Sequence, residues 1–325
     1  MAIHHVRALL ICTIVAVFCI CAMATVSPYD GGGEAAEVSM LQKSYHLLGG
    51  NTPLQDDELK WNTHTHTRKP VIWIHIHKNA GTTMCVLAGK NNENIPQLSF
   101  KGATMSTNCM WASRDQFYLL NQSWHTSCAA RRHAFATHQW TFGMIEREIH
   151  EDDICEGFMY AVLLREPVRH VVSMANFEEL DIARDLECIR TGALPCDGQT
   201  FSTSPTPPVH TWITFDNYQI RTLLGEDGLK IPPGQVTEEH ARQVIAMLSK
   251  FDLVSFVEEL GDATPRMLSD TLGWNTTSIP HFKSGSSRSE QPISDQDLAY
   301  IEELNKMDRF VFDYFQQVPI EERGR

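Results

Sequence analysis

The sequence lacks the commonest nucleotide-binding loop. That loop, G-x-x-x-x-G-K-[ST], puts a lysine directly after its last glycine, and neither Gly-Lys-Ser nor Gly-Lys-Thr occurs in the chain. The sequence also lacks a basic excess, because its 325 residues carry a formal net charge of −13 at pH 7. A general nucleic-acid-binding protein has the opposite balance. The missing loop argues against an ATP site of the usual kind. The missing basic excess argues against a nucleic-acid partner. An anionic ligand held by a few local cations remains open.

The N-terminus has the pattern of a targeting segment. Residues 8–26 form a run without charge that follows Arg7 and is just long enough to span a bilayer. One interpretation is an uncleaved signal anchor, and the other is a cleaved signal peptide with the small-residue site Ala-Met-Ala at 22–24. Both predict entry into the secretory pathway, and glycosylation sequons at Asn121 and Asn275 agree with it.

Six of the nine cysteines lie beyond the charge-free run, and an even number in an oxidising compartment predicts disulfides. Closeness in sequence favours two pairs, Cys188–Cys196 and Cys109–Cys128. For the two that remain, buried free thiols are the alternative: Cys85 and Cys155.

The chain divides into three predicted parts: the N-terminal segment 1–26, a stem at 27–69 and a globular domain at 70–325. The stem is rich in glycine and polar residues and has no strong apolar period. In the domain, nearly continuous apolar strands alternate with helices, which predicts an α/β fold whose parallel sheet is covered on both faces. The predicted strands are 71–77, 134–137, 159–164 and 253–257, and the predicted helices are 82–90, 168–180, 237–250 and 294–315.

The first candidate site follows strand 71–77. In sheets of this kind ligands bind at the carboxyl ends of the strands, and the N–H groups of a loop and a helix N-terminus attract an anion. Lys78 would add a positive charge, and two threonine hydroxyls would add donors. A plain strand-to-helix turn is the alternative. The predicted anion-binding residues are Lys78, Asn79, Ala80, Gly81, Thr82 and Thr83.

The second candidate site follows strand 159–164. Arg165 can bind a phosphate with two donors, Pro167 suits the first turn of a helix, and Ser173 on that helix can add a hydroxyl. The alternative is an ordinary salt bridge of Arg165 and an ordinary helical serine.

Together, HIHKNAGTT and REPVRHVVS resemble the 5′-phosphosulfate loop and the 3′-phosphate element of sulfotransferases that use 3′-phosphoadenosine 5′-phosphosulfate (PAPS). The resemblance is to the Golgi membrane-bound type that acts on carbohydrates. It continues in DNYQIRTLLG at 216–225 and in the stretches 248–260 and 294–315, and so covers roughly residues 70–317. It implies a P-loop-like, three-layer domain with a mostly parallel central sheet flanked by helices. It also implies PAPS as co-substrate, no metal, a glycan or polysaccharide acceptor, and a type II Golgi membrane protein with a luminal catalytic domain. The protein would be secreted if the N-terminal segment is cleaved.

The resemblance also implies an in-line displacement at sulfur and a role for each site residue. His138, in ATHQWTFG, would be the catalytic base, although threonine stands where the family has glycine before the histidine. An imidazole suits this task because its ordinary pKa lies near neutrality. Lys78 would stabilise the leaving phosphate and the sulfuryl oxygens, and Arg165 and Ser173 would bind the 3′-phosphate. A late Ser/Gly-rich loop with Lys283 and Ser287 would close over the nucleotide. Weaker candidates for the base are His133, His170 and Glu166.

Two other classes of protein stay open on the sequence alone. A metal-dependent Golgi glycosyltransferase would need an Asp-x-Asp site, which Asp295 and Asp297 match in letters but at a predicted helix cap. A secreted carbohydrate-binding protein would need no anion site. The acceptor itself is open, and protein tyrosine is the alternative to a sugar hydroxyl. Two histidine pairs have spacing that could serve zinc but bring no further ligands nearby: His64 with His66, and His75 with His77.

Overall fold

A computed structural model describes residues 68–96, 98–100, 103–105, 109, 128–146, 154–192, 211–277, 279 and 293–324. All of them belong to one compact unit, Lys60–Arg325. Within these ranges, no helix has both the length and the apolar character needed to cross a membrane. Several predictions lie outside the described residues: the segment 1–26, the stem up to residue 67, Asn121, Cys196, Lys283 and Ser287.

The core of the unit is a sheet of four parallel strands in the order β4-β1-β5-β6. Its residues alternate between two hydrophobic clusters: Ile72 and Ile74 of β1 enter one, and Val71 and Trp73 enter the other. Both faces of the sheet are therefore buried, which explains why most residues of its strands are apolar. The predicted α/β fold is confirmed. The strands are β1 Val71–His75, β4 Phe142–Glu146, β5 Met159–Leu164 and β6 Leu253–Phe256, and a small antiparallel pair is formed by β2 Leu98–Phe100 and β3 Ala103–Met105.

Helices cover both faces of the sheet, and several begin where the sequence places a capping residue. Pro167 is the first residue of its helix, and the Glu166 carboxylate accepts a hydrogen bond from the Arg169 backbone N–H. Ser294 caps the helix that follows it by accepting a hydrogen bond from the Asp297 backbone N–H. The described helices are α1 Gly81–Lys90, α2 Cys128–His138, α3 Pro167–Glu178, α4 Ile182–Thr191, α5 Tyr218–Lys230, α6 Glu238–Leu248, α7 Ala263–Leu272, α8 Asp295–Leu304, α9 Lys306–Gln317 and α10 Ile320–Arg323, with 3₁₀ turns at Thr211–Phe215 and Val257–Glu259.

The strand predicted at 134–137 is wrong, because those residues lie in α2. A short apolar run fits a buried helix as well as a strand. In α2, Arg131 and Phe135 stand four residues apart and are both buried, so they share the inward face of the helix. The strand of this region is β4, which comes only after the helix has ended.

The cysteine pairing differs from the prediction. The structure joins Cys85 to Cys109 and Cys128 to Cys155, so the predicted Cys109–Cys128 bond is wrong and neither Cys85 nor Cys155 is a free thiol. Cys109 is beside β4, where its carbonyl accepts a hydrogen bond from the Met144 N–H, and α1 carries Cys85 to that point. Cys188 is disulfide-bonded, while its predicted partner Cys196 lies outside the described residues. These bonds fit the predicted oxidising compartment.

Candidate functional site

The site is at the point where the sheet changes direction. The chain leaves β1 toward β4 on one side, whereas it leaves β5 toward β6 on the other. Neighbouring parallel strands with diverging connections leave a crevice outside their carboxyl ends, and ligands of open α/β sheets bind there. The residues that follow β1 and β5 are those of the two predicted anion-binding loops. Residues 76–80, together with the start of α1, are called the Lys78 loop, and Arg165 with Glu166 is called the Arg165 loop.

The Lys78 loop turns sharply into α1. Lys78 and Ala80 have left-handed backbones, with φ of 67° and 60°, and the Asn79 N–H donates to the Ile76 carbonyl at 3.0 Å. Left-handed non-glycine residues carry strain and concentrate at functional sites. Ala80, the residue before α1, makes no side-chain capping bond to the helix. The N-terminus of α1 therefore begins directly at the Lys78 loop, where helix N-termini favour anions.

Gly81 is needed for close packing rather than for backbone freedom. A Cβ atom at this position would lie 2.1 Å from Nε2 of His75, whose imidazole is buried at the end of β1. The helix can begin this close to the strand only because residue 81 has no side chain. The first turn of α1 therefore packs directly against the His75 ring.

The Arg165 loop is in direct contact with the Lys78 loop. The Nη1 atom of Arg165 donates to the Lys78 carbonyl at 2.9 Å. The next residue, Glu166, forms an ion pair with Arg309 of α9, and its backbone N–H donates to Glu258 Oε1 at 3.2 Å. The structure thus brings Lys78 and Arg165 together, as the sequence predicts.

The two cations are crowded and half-buried. Burial lowers the pKa of Lys78, the charge of Arg165 lowers it further, and Glu178 partly opposes the shift. Burial also lowers the pKa of Arg165, which Glu258 opposes. Within the described part of the chain, the buried Nε of Arg165 has no hydrogen-bond partner. An anion between these two side chains would relieve the repulsion and satisfy that donor.

The face of α3 that meets the Lys78 loop also carries Ser173. The His170 Nε2–H donates to the His77 carbonyl at 2.9 Å, and the Phe177 ring centre is 3.9 Å from Lys78 Nζ. Ser173 comes three residues after His170 and four before Phe177, so it lies on the same helix face. Ser173 therefore lies on the face of α3 that meets the Lys78 loop.

His170 is held in a structural role. It is fully buried, and burial lowers its pKa to about 3, so the ring is neutral at ordinary pH. One nitrogen is occupied by the His77 carbonyl, and the ring stacks on Tyr218 with centroids 5.0 Å apart. A histidine locked in this way cannot take up a substrate proton.

His138 is at the opposite end of the sheet. It is the last residue of α2, it is exposed, and its ring stacks on Trp140 at 4.4 Å. Strand β4 follows it, and the first residue of that strand pairs with Val71, the first residue of β1. The Lys78 loop follows the other end of β1, about 13 Å away along the strand at 3.3 Å per residue. The structure does not bring His138 to Lys78, because 134–137 is not the strand that would have carried it there. His133 is exposed on the same helix, α2.

The candidate metal residues have other surroundings. His75 supports Gly81, and the His77 ring packs 5.2 Å from Phe177. Asp297 is part of the cap of α8, where its N–H donates to Ser294 Oγ, and it also faces Arg190 at 3.5 Å. In the ranges that the structure covers, no three His, Cys, Asp or Glu side chains gather as a metal site would require.

Sequence reasoning did not single out three residues of the crevice: Gln219, Phe177 and Glu258. Gln219 lies in the stretch 216–225 that carries the family resemblance, so a signal was present but no role could be read from it. In comparisons with known proteins, no family model and no curated protein matches the chain.

Proposed function

We propose that the protein is a sulfotransferase that moves a sulfuryl group from PAPS to a hydroxyl of a glycan or polysaccharide. One observation carries the proposal: the Lys78 loop and the Arg165 loop meet at the β1/β5 crevice, joined by the hydrogen bond from Arg165 to the Lys78 carbonyl. PAPS carries two anionic groups on one nucleotide. Two adjacent cationic loops, one of which leads directly into the N-terminus of α1, suit a ligand of this shape.

The proposed chemistry is an in-line displacement. The acceptor oxygen attacks sulfur, the bond from sulfur to the 5′-phosphate oxygen breaks, and the hydroxyl proton is released to water. Lys78 and the first N–H groups of α1 stabilise the charge that grows on the leaving phosphate. Arg165 and Ser173 hold the 3′-phosphate. His138 has no part in this proposal because it stands at the far end of the sheet.

The proposed setting is the Golgi lumen, with residues 8–26 as the membrane anchor or, if cleaved, a secreted protein. The two described disulfides support an oxidising compartment. Glycans are displayed in that compartment, which agrees with a sugar hydroxyl as acceptor. No resident metal is required by the proposed displacement.

Isothermal titration of the full chain with 3′-phosphoadenosine 5′-phosphate tests the nucleotide site. We expect Lys78→Ala and Arg165→Ala each to weaken binding tenfold or more, about 1.4 kcal/mol or more. Adenosine 5′-monophosphate lacks the 3′-phosphate, so Arg165→Ala should weaken its binding far less, whereas Lys78→Ala should weaken both ligands alike. Controls are Lys90→Ala, at the exposed far end of α1, and Arg242→Ala, exposed on α6. Absence of binding by a folded wild-type protein would refute the proposal.

A positive titration leads to the transfer reaction. PAPS is incubated with the protein and a panel of unsulfated polysaccharides, glycans and tyrosine peptides, and release of 3′-phosphoadenosine 5′-phosphate is followed by anion-exchange chromatography. Release that depends on a saccharide and is lost in Lys78→Ala supports the proposed acceptor class. Release only with tyrosine peptides would contradict it.

A further inference from the structure

We infer that Gln219 is a positioning residue that fixes the Lys78 loop and the Arg165 loop at the spacing one nucleotide requires; the inference rests on the proposed function. Gln219 is the second residue of α5 and touches both loops with a single buried amide. It makes no contact that would qualify it as a catalytic group. Its effect is on the two loops that carry Lys78 and Arg165.

The amide of Gln219 uses both of its ends. Its Oε1 accepts from Asn79 Nδ2 at 3.0 Å and from the Arg165 backbone N–H at 2.9 Å, and its Nε2 donates to the Arg165 carbonyl at 2.8 Å. Asn79 Nδ2 also donates to the Leu163 carbonyl at 2.9 Å. The Gln219 amide thus connects the Lys78 loop to the Arg165 loop, and Asn79 connects the Lys78 loop to the end of β5.

The hydrogen-bond pattern of the sheet explains why residue 219 is a glutamine. β5 ends at Leu164, so the N–H and C=O of Arg165 are the first peptide groups that no longer pair with a neighbouring strand. Buried peptide groups need partners. An amide offers a donor and an acceptor side by side, which a carboxylate or an aliphatic side chain does not. Gln219 therefore acts as a substitute for one more residue of strand pairing.

The backbone at Gln219 is hydrogen-bonded to helix α9, near the C-terminus. Its backbone N–H and that of Ile220 donate to the two oxygens of Asp308 at 3.0 and 2.9 Å. The Asn217 side chain accepts from the backbone N–H groups of Met307 and Asp308 at 3.0 and 2.9 Å. The start of α5 is therefore anchored to α9, and the amide of Gln219 projects from a fixed base.

This geometry predicts that removing the amide separates the loops without removing either cation. Gln219→Leu leaves the Arg165 N–H, the Arg165 carbonyl and one donor of Asn79 without their partner. Gln219→Glu has nearly the same shape, and its carboxylate can still accept. It cannot donate to the Arg165 carbonyl while it is ionised. The introduced carboxyl group would be buried as the Gln219 amide is, and burial raises a carboxyl pKa above its ordinary value, so protonation at lower pH restores the donor.

The experiment measures two quantities on the full chain. Hydrogen–deuterium exchange without nucleotide reports on the amides of residues 76–81 and 165–169. Titration with 3′-phosphoadenosine 5′-phosphate at pH 8 and at pH 5.5 reports on binding, as a ratio to wild type at the same pH. We expect faster exchange in both loops of Gln219→Leu and at least tenfold weaker binding at both pH values. Gln219→Glu should be at least tenfold weaker at pH 8 and should recover to within threefold of wild type at pH 5.5. Gln243→Glu, exposed on α6, is the matched control and should follow wild type.

The possible failures are distinguishable. Unchanged exchange in both loops of Gln219→Leu, or binding within twofold of wild type, overturns the inference while the proposed function stands. Equal weakness of Gln219→Glu at both pH values also overturns it, because a restored donor should matter. If Gln219→Leu fails to fold, the pH response of Gln219→Glu decides alone. If wild type does not bind the nucleotide, the proposed function fails, and the exchange data then decide whether Gln219 joins the loops.

Discussion

The two ends of the sheet handle buried charge in opposite ways. At the amino end, Glu93 is buried and its carboxylate is surrounded by donors. Thr141 Oγ1 and Trp274 Nε1 each donate to it at 2.6 Å, and Arg68 forms an ion pair with it. At the carboxyl end, Lys78 and Arg165 lie close together, and burial lowers the pKa of both side chains.

This difference distinguishes a buried charge that serves the fold from charges that have capacity for a ligand. A buried charge whose hydrogen-bonding capacity is filled from within the chain has nothing left for a ligand, and Glu93 is of this kind. A crowded pair of cations, with a buried Arg165 donor that no described residue accepts, has capacity left over. The same sheet therefore has one end whose buried charge is paired within the fold and one end where, as we propose, an anion binds.

The largest effect that would test this contrast is the loss of Glu93. Glu93→Ala removes the partner of Arg68, whose pKa burial already lowers to about 10, and leaves the Thr141 and Trp274 donors unpaired. We expect a loss of about 3–5 kcal/mol in the free energy of unfolding, the usual result of breaking a buried ion pair. Urea denaturation measures it. Binding of 3′-phosphoadenosine 5′-phosphate by the folded fraction should be unchanged.

The matched control is Glu303→Ala, which breaks an exposed pair with Lys306 and should cost less than about 1 kcal/mol. A Glu93→Ala protein of normal stability that binds the nucleotide poorly would remove the distinction between the two ends.

Much of the fold could be predicted because the sheet is buried on both faces. β1, β5 and β6 appear in the sequence as continuous apolar runs bounded by polar residues, and the structure confirms all three to within two residues. β4 was missed because its short sequence FGMIE contains a glycine and a glutamate. The neighbouring run AFAT predicts a strand instead, since four residues cannot reveal whether the apolar period is that of a strand or of a helix.

The site could be predicted only where one residue sufficed to suggest its chemistry. Lys78 and Arg165 follow apolar strands, and the rule that ligands bind at strand ends brings them together. The cysteine pairs and Gln219 depend on which distant segments become neighbours, and spacing along the chain does not contain that information. The sequence does not predict the position of His138 either, because residues 134–137 belong to a helix and not to a strand that would end at the site.

A smaller effect is expected from a change at Gly81, at the carboxyl end of the sheet. Gly81→Ala places a Cβ atom against the His75 ring, where 2.1 Å leaves no room, so α1 or the ring must move. We expect a loss of about 1–3 kcal/mol of stability, as for other overpacked sites, together with weaker nucleotide binding. Gly89→Ala is the control on the same helix, because its Cβ would meet Ile95 at an ordinary 3.6 Å. That change should stabilise the protein by about 0.5–1 kcal/mol, through the helix preference of alanine alone. Equal effects of the two changes on binding would show that the packing of α1 against His75 does not shape the site.

The smallest expected effect concerns the contact between the Lys78 ammonium and the Phe177 ring. Its ammonium sits 3.9 Å from the centre of the Phe177 ring, although that ring is 51% exposed. Phe177→Leu keeps an apolar side chain and removes the π face, so the ammonium is freer to turn toward Glu178, whose charge already raises the pKa of Lys78. We expect binding of 3′-phosphoadenosine 5′-phosphate to weaken about two- to fivefold, or about 0.5–1 kcal/mol, the usual contribution of an exposed cation–π pair. Phe310→Leu, an exposed ring on α9, should leave binding unchanged. Tighter binding by Phe177→Leu would mean that the ring competes with the anion for Lys78. In that case a contact within the chain would already pair part of the charge at the carboxyl end of the sheet. That end would then differ from the Glu93 end in degree rather than in kind.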